Sequence, residues 1–134
     1  MNRVGRKLEY SLMALKHMSL KRNGELTSAK EVAESYHAPF DATARVLQLM
    51  AQKGFVKAEQ GAHGGYQISR DLSELTLHDL IQVIQGPSNV AKCMSDDEPC
   101  ELQSSCNIIS PISLLDKKLN EFYRGISLKE LLTK

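Results

Sequence analysis

The sequence predicts a mainly α-helical fold with one small β-hairpin. Apolar residues recur at helical spacing in six segments, which capping residues, glycine or proline separate. Two short β-prone stretches flank a glycine-rich turn directly after the third segment. Because a hairpin in this position forms a wing, the order of elements predicts a winged helix-turn-helix followed by a long C-terminal helix.

The first two helices are predicted from apolar spacing and from end signals. The first covers residues 8–20, and Gly24 tolerates the positive φ that often follows a helix. The second covers residues 28–36. Ser28 and Glu31 have the spacing of a capping box, in which each side chain satisfies the backbone N–H of the other residue.

The third helix is predicted over residues 41–53, after a turn in which Pro39 disfavours helical geometry. Asp41 is the expected N-cap, and Gly54 ends the helix. Together with the second helix it has the order of a helix-turn-helix. A recognition helix of this kind lies in the DNA major groove and presents its first exposed residues to the base edges.

The wing follows as two strands at residues 55–60 and 66–69. A fourth helix is predicted over residues 77–85, with Thr76 and Asp79 as a capping pair.

Serine and proline signals place the last two helices. Ser110 is the expected cap of the fifth helix, with Pro111 at its first helical position. A short sixth helix runs from Ser127 to Leu132, and Glu130 completes its capping pair.

Composition is that of an ordinary soluble protein, with a net charge of +1. No apolar run approaches the roughly 20 residues that a membrane span needs, so we expect a cytoplasmic protein without a membrane partner. Residues 93–116 carry five acids and no Lys or Arg, whereas the remainder is mildly basic. This excess permits DNA binding, but an ordinary solvated surface explains it equally well.

Double-stranded DNA is the partner that the helix-turn-helix predicts, although similar folds also serve as plain helical cores or interaction modules. Arg45 could pair with guanine or phosphate, and Thr43 could contact a phosphate or a thymine methyl group. Glycines at the wing tip would let the backbone approach a phosphate, while Lys30 is also consistent with a plain surface lysine. The candidate DNA-binding residues are Ser28, Lys30, Asp41, Ala42, Thr43, Arg45, His63, Gly64 and Gly65.

All three cysteines, Cys93, Cys100 and Cys106, lie close together with the spacing C-x6-C-x5-C. An odd number in a cytoplasmic chain argues against a disulfide framework. Thiolates are soft ligands for zinc, copper(I) or iron–sulfur clusters, and structural zinc usually takes cysteines in closer pairs. The spacing therefore favours a loop around a cluster whose fourth ligand comes from elsewhere. A reversible disulfide switch and inert thiols are the alternatives.

Several of these segments resemble one known family. Its first-helix motif resembles Leu8–Leu15, its wing motif resembles Gly54–Tyr66, and its fourth helix resembles Leu75–Ile81 with Gly86, after which the three cysteines follow. On this basis the chain resembles the Rrf-two (Rrf2) family of bacterial transcription regulators, which includes IscR-type and NsrR-type iron–sulfur sensors. The resemblance covers nearly the whole chain.

The resemblance implies a homodimeric repressor or activator. The fifth helix would be its dimerisation helix, with Ile112, Leu115, Leu119 and Phe122 as candidate interface residues. The cluster would lie between that helix and the partner's DNA-binding domain and would set the angle between the two recognition helices. The expected units are a DNA-binding domain, a cysteine loop and a dimerisation region with the C-terminal helix, at residues 1–86, 87–109 and 110–134.

Three positions bear on the family pattern. IscR-type members have a histidine three positions after the third cysteine, where this chain has Ile109. NsrR-type members use an acidic residue of the other subunit's first helix, and Glu9 stands at that position. A carboxylate is a hard, weak ligand for cluster iron, and its use as the fourth ligand favours a [4Fe–4S] cluster over a [2Fe–2S] cluster. The alternative is that Glu9 is an ordinary surface glutamate near the start of a helix. Gln60 replaces an arginine that is common in the family's wing.

Two functional hypotheses follow from these patterns. The first is a transcription regulator whose operator binding is controlled by the cluster, which would suit sensing of nitric oxide, redox state or iron supply. The second is a cluster-free regulator or adaptor that is controlled by a thiol switch or a protein partner. An enzyme is poorly supported, because the four histidines are scattered and no phosphate-binding glycine loop is present.

Overall fold

The computed structural model describes residues 4–87, Val90 and residues 100–134. Within them the order of elements is α1 (Arg6–Ser19), α2 (Ala29–Tyr36), α3 (Phe40–Gln52), β1 (Val56–Glu59), β2 (Gly65–Ile68), α4 (Leu77–Gln85), α5 (Ile109–Arg124) and α6 (Leu128–Leu132). The two strands form an antiparallel hairpin directly after α3. The predicted fold class, a mainly helical winged helix-turn-helix, is therefore confirmed. No helix in the described ranges is long and apolar enough to cross a membrane.

Side-chain caps fix the starts of α4 and α6, as the sequence predicts. The Thr76 hydroxyl accepts from the Asp79 N–H at 3.1 Å, and the Asp79 carboxylate accepts from the Thr76 N–H at 3.0 Å. The Ser127 hydroxyl accepts from the Glu130 N–H at 3.1 Å. Each bond satisfies an N–H group that has no partner inside its helix.

Two predicted caps are wrong. α3 begins at Phe40, so Asp41 lies in its first turn, and no side chain caps the helix. α5 begins at Ile109, one residue before the expected cap Ser110, and it also lacks a side-chain cap. In both helices the N-cap lies two residues before the expected one, at Pro39 instead of Asp41 and at Ile108 instead of Ser110.

The capping box expected at α2 forms only in part. The Ser28 hydroxyl accepts from the Glu31 N–H at 3.0 Å, as expected. The Glu31 carboxylate does not return to Ser28; it pairs with Lys21 at 2.6 Å and with His17 instead. The Glu31 carboxylate therefore pairs with side chains of the preceding segment instead of the Ser28 backbone N–H.

A backbone contact absent from the sequence prediction connects the wing to α2. Thr27 and Tyr66 form an isolated antiparallel bridge with two N–H···O bonds of 2.8 Å each. Thr27 directly precedes Ser28, the N-cap of α2. The start of α2 and the wing strand β2 are thus held side by side.

The core lies between α1, α3 and α4, and α6 closes it. Its largest fully buried side chains include Leu15, Leu47, Leu80 and Leu128. Backbone hydrogen bonds join the start of α6 to the residues that precede α4. One of them runs from the Leu128 N–H to the Leu75 carbonyl, at 2.8 Å. α6 therefore packs on the domain that the sequence assigns to residues 1–86, although it follows α5 in the chain.

Candidate nucleic-acid interface and cysteine segment

The start of α3 presents polar side chains to solvent. Asp41 and Arg45 are exposed, and Ala42 is half-buried. Asp41 and Arg45 are four residues apart, so they share one face of the helix. Arg45 forms no ion pair within the part of the chain that the structure describes. Its guanidinium is therefore available to a guanine or a phosphate.

Thr43 was expected to be exposed, and this expectation is wrong. Its side chain is fully buried, and its hydroxyl donates to the Pro39 carbonyl at 2.8 Å. The same carbonyl accepts from the Thr43 backbone N–H at 3.0 Å. Thr43 lies three residues before Val46 and four before Leu47, so it shares their buried face of α3, helps to hold the first turn and cannot contact DNA.

Close contacts within the protein explain why glycine occupies positions 64 and 65 of the wing. A Cβ atom on Gly64 would lie 2.5 Å from the Glu59 carbonyl oxygen, and one on Gly65 would lie 2.8 Å from the Thr27 carbonyl oxygen. Close backbone approach within the protein therefore accounts for both glycines without a phosphate. His63, at the tip, is exposed and remains free to face a ligand.

The start of α2 carries the last two DNA-binding candidates. Ser28 is half-buried and its hydroxyl is occupied as a cap. Lys30 is exposed, and its ammonium is 3.9 Å from a Glu34 carboxylate oxygen, which is a weak surface pair. The Thr27–Tyr66 bridge places both residues beside the wing strand.

Two aromatic residues at the helix-turn-helix are exposed, which the sequence did not predict. Tyr36 ends α2 and Phe40 begins α3, with 41% and 53% of their surfaces exposed. His37 between them adopts a left-handed backbone conformation, with φ of 55°. An aromatic residue at a helix end has the same appearance in the sequence whether it faces the core or solvent. Only the direction of the turn, which the sequence does not specify, distinguishes the two.

A polar cluster joins α1 and the loop after it to α2. The Glu31 carboxylate lies 2.5 Å from His17 Nε2 and 2.6 Å from the Lys21 ammonium, and the Tyr36 hydroxyl lies 2.5 Å from His17 Nδ1. Burial acts to raise the pKa of Glu31, but hydrogen bonds and charge from Lys21 and His17 outweigh it and hold that pKa below its usual value. The cluster therefore favours an ionised Glu31.

The cysteine segment is described in part. Cys100 and Cys106 are free thiols, both half-buried, and they flank a run of turns that leads into α5. Cys93 lies outside the described residues. No group of three or more possible metal ligands occurs among the described residues, to which Cys93 does not belong. Asp116 of α5 accepts from the Val90 N–H at 3.4 Å, so Val90 lies beside α5.

Glu9 lies on α1 and is half-buried. Its carboxylate accepts from the Arg6 guanidinium at 3.0 Å, and the arginine side chain is 80% exposed. An exposed pair of this kind contributes little to stability. Glu9 could therefore exchange Arg6 for another partner at small cost.

α5 exposes an apolar stripe. No residue of the helix is fully buried in the chain, and Leu115 and Phe122 are 44% and 64% exposed. Ile112 and Leu119 are half-buried, and the exposed Ile108 continues their alternating spacing of four and three residues. This 3–4 spacing is typical of a helix that packs against a second helix.

The sequence profile of the Rrf2 family, described as an iron-dependent transcriptional regulator, matches residues 4–134. The regulator NsrR of Bacillus subtilis is 26% identical over 113 residues, which cover 84% of this chain and 73% of that protein. Among solved structures, CymR (YrzC), described as the global cysteine regulator of B. subtilis, superposes with a TM-score of 0.74 at 22% identity. The match covers 99% of this chain and 98% of CymR.

A second solved structure, T. potens IscR, superposes with a TM-score of 0.68 at 20% identity and covers 98% of this chain and 87% of that one. At these identities the structural matches establish the winged-helix fold, and the profile match over nearly the whole chain establishes the family. The chain therefore belongs to the Rrf2 family and is a DNA-binding transcription regulator.

Proposed function

We propose that the protein is a homodimeric transcription regulator whose operator binding is controlled by an iron–sulfur cluster held by Cys93, Cys100 and Cys106. The observation that carries the proposal is the pair of free, half-buried thiols that flank the turns before the apolar helix α5. Free thiols have the soft donor atoms that cluster iron requires. The description of the family as iron-dependent supports the same conclusion.

The fourth ligand in this proposal is Glu9 of the partner subunit. Its weak surface pair with Arg6 leaves the carboxylate free to change partner. A carboxylate is a poor donor to cluster iron, which would make this ligand the easiest of the four to displace. When bound, a cluster would supply a group that is lost or altered by oxidation, by nitric oxide or by shortage of iron.

The DNA-binding surface in this proposal consists of the start of α3, the wing tip and the start of α2. Arg45 has the free guanidinium for a base or phosphate contact, and Asp41 and Ala42 lie beside it. Gly65 and Thr27 hold the wing against α2, which brings His63 of the wing and Lys30 of α2 to neighbouring parts of the proposed surface. Dimerisation through α5 would place two such surfaces on a two-fold operator.

Anaerobic purification tests the cluster directly. We expect broad visible absorption with matching iron and sulfide in the native protein. Cys100→Ala and Cys106→Ala should each lose the colour while retaining helical circular dichroism. Ser104→Ala, a change in the same segment, should keep it. An unchanged visible spectrum in either cysteine variant would show that the ligand assignment is wrong.

A cluster-free regulator that is controlled by its thiols is the second candidate. The observation in its favour is that CymR, described as a regulator of cysteine, shares the fold over nearly the whole chain. In this case the anaerobic protein would be colourless and could not be reconstituted with iron and sulfide. Its operator affinity would instead change when Cys100 and Cys106 are alkylated.

A further inference from the structure

A cavity of about 590 Å³, open on one side, lies between the end of α1, the end of β2 and α6. This volume falls within the range of roughly 300–1,000 Å³ that is usual for small-molecule sites. None of the candidate DNA-binding residues lines the cavity, and neither do Cys100 and Cys106. The cavity is therefore separate from the surfaces discussed above.

Positive charge dominates the rim of this cavity. Six Lys or Arg side chains line it, against the two acids Glu25 and Asp71. Lys21 is neutralised by Glu31 at 2.6 Å. Arg22 and Arg70 are exposed and form no ion pair with any residue in the described ranges. Unpaired cations at the mouth of a cleft attract anions, and a guanidinium binds a carboxylate through two parallel hydrogen bonds.

The floor of the cavity is apolar. Met18 and Leu132 are buried, and the half-buried Ile68 and Leu72 adjoin them. An inorganic anion would gain nothing from such a floor, because it has no apolar surface to remove from water. An aliphatic chain with a carboxylate at each end uses both parts of the site.

We propose that this cavity binds a small aliphatic dicarboxylic acid, with its carboxylates at Arg22 and Arg70 and its hydrocarbon part against Met18 and Leu132. β2 belongs to the wing, and α6 directly follows α5. A ligand that contacts both elements would thus connect the wing to the apolar helix α5. It would change DNA binding to the extent that it binds one relative arrangement of the wing and α5 more tightly than another. The proposal is independent of a cluster.

Titration with adipate tests the site by NMR on the 15N-labelled full chain. Adipate has two carboxylates on a four-methylene chain, and adipamide is its neutral equivalent. We expect saturable amide shifts with adipate, confined to the loop after α1, the end of β2 and α6. The double variant Arg22→Gln/Arg70→Gln should weaken adipate binding at least about tenfold, since charge-assisted hydrogen bonds are lost. Arg124→Gln, which removes an exposed arginine outside the cavity, should not.

Three results would overturn the proposal. Adipamide could produce the same shifts as adipate, or the double variant could bind adipate as well as the native protein. The double variant could also lose operator affinity in the absence of adipate, which would assign the two arginines to DNA. A colourless, iron-free protein that still binds adipate would reject the cluster and leave this site unaffected.

Discussion

Gly65 lies in direct contact with the backbone of Thr27: a Cβ atom at Gly65 would be 2.8 Å from the Thr27 carbonyl oxygen and 3.2 Å from its nitrogen. The two hydrogen bonds between Thr27 and Tyr66 hold β2 and the segment before α2 at this separation. The wing is therefore positioned from α2 as well as from its own hairpin. The backbone of Thr27 leaves no room for a side chain at residue 65.

Gly65→Ala is expected to destabilise the protein by about 1–3 kcal/mol, because the new methyl group must push β2 away from Thr27. Urea unfolding that is followed by circular dichroism measures this loss. Gly125→Ala is the matched control. The Cβ atom there would make only ordinary contacts, 3.4 Å or more from its neighbours. If both variants unfold at the same urea concentration, the close contact with Thr27 does not constrain the wing.

Glu31→Gln is expected to reduce stability at neutral pH and to flatten its dependence on acid. The pKa of Glu31 is held below the usual value of 4.5 in the folded protein. Its contribution is therefore fully present above the unfolded-state pKa and is lost as the pH falls through the lower folded-state pKa. Urea midpoints measured from neutral pH down to about pH 3 should show this loss in the native protein only.

Glu34→Gln controls for the removal of a carboxylate from α2. Glu34 is largely exposed, and its nearest cation, Lys30, is 3.9 Å away. This variant should keep the acid dependence of the native protein. The same flattening in both variants would mean that general charge reduction, rather than the cluster with His17 and Lys21, causes the effect.

Local signals were sufficient to predict most of the fold. Leu77–Gln85 agrees at both ends with the predicted fourth helix, because a complete capping box and a following glycine mark it. No comparable signal marks the Thr27–Tyr66 bridge, since a single pair of backbone hydrogen bonds between distant residues leaves no periodic pattern. The same limit applies to the cationic cavity, whose walls are far apart in the chain.

At the candidate interface, helical spacing decides which of the predicted DNA-binding residues are exposed. Thr43 is buried because it lies three and four residues before the buried Val46 and Leu47, on the same face of α3. Neighbouring residues on a helix are about 100° apart, so exposure at one position says little about the next. Arg45 is exposed as predicted, because a charged side chain is rarely buried without a partner.

Arg45→Ala is expected to weaken operator binding by about 1–3 kcal/mol if the guanidinium contacts a base. Fluorescence anisotropy with a duplex selected from random sequences measures the affinity. Lys53→Ala, at the opposite end of α3, is the control for loss of one positive charge. Equal affinity in the native protein and Arg45→Ala would remove Arg45 from the interface. Equal weakening in both variants would indicate a general electrostatic effect.

Leu115→Glu is expected to convert the proposed homodimer to a folded monomer. Leu115 is 44% exposed in the single chain, and α5 contributes no fully buried residue, so the substitution leaves the core intact. In a dimer formed by the apolar stripe, the carboxylate would be buried without a partner. Such burial costs several kcal/mol, enough to raise the dimer dissociation constant by about a hundredfold or more.

Sedimentation equilibrium measures the dissociation constant, and circular dichroism checks that the monomer stays folded. Lys117→Glu is the control, because residues two positions apart on a helix do not face the same side. It also introduces a glutamate into α5, but away from the stripe, and it should remain dimeric. If Leu115→Glu dimerises as tightly as Lys117→Glu, the exposed stripe of α5 is not the contact between the two chains, and the arrangement of two DNA-binding surfaces about a shared α5 must be replaced.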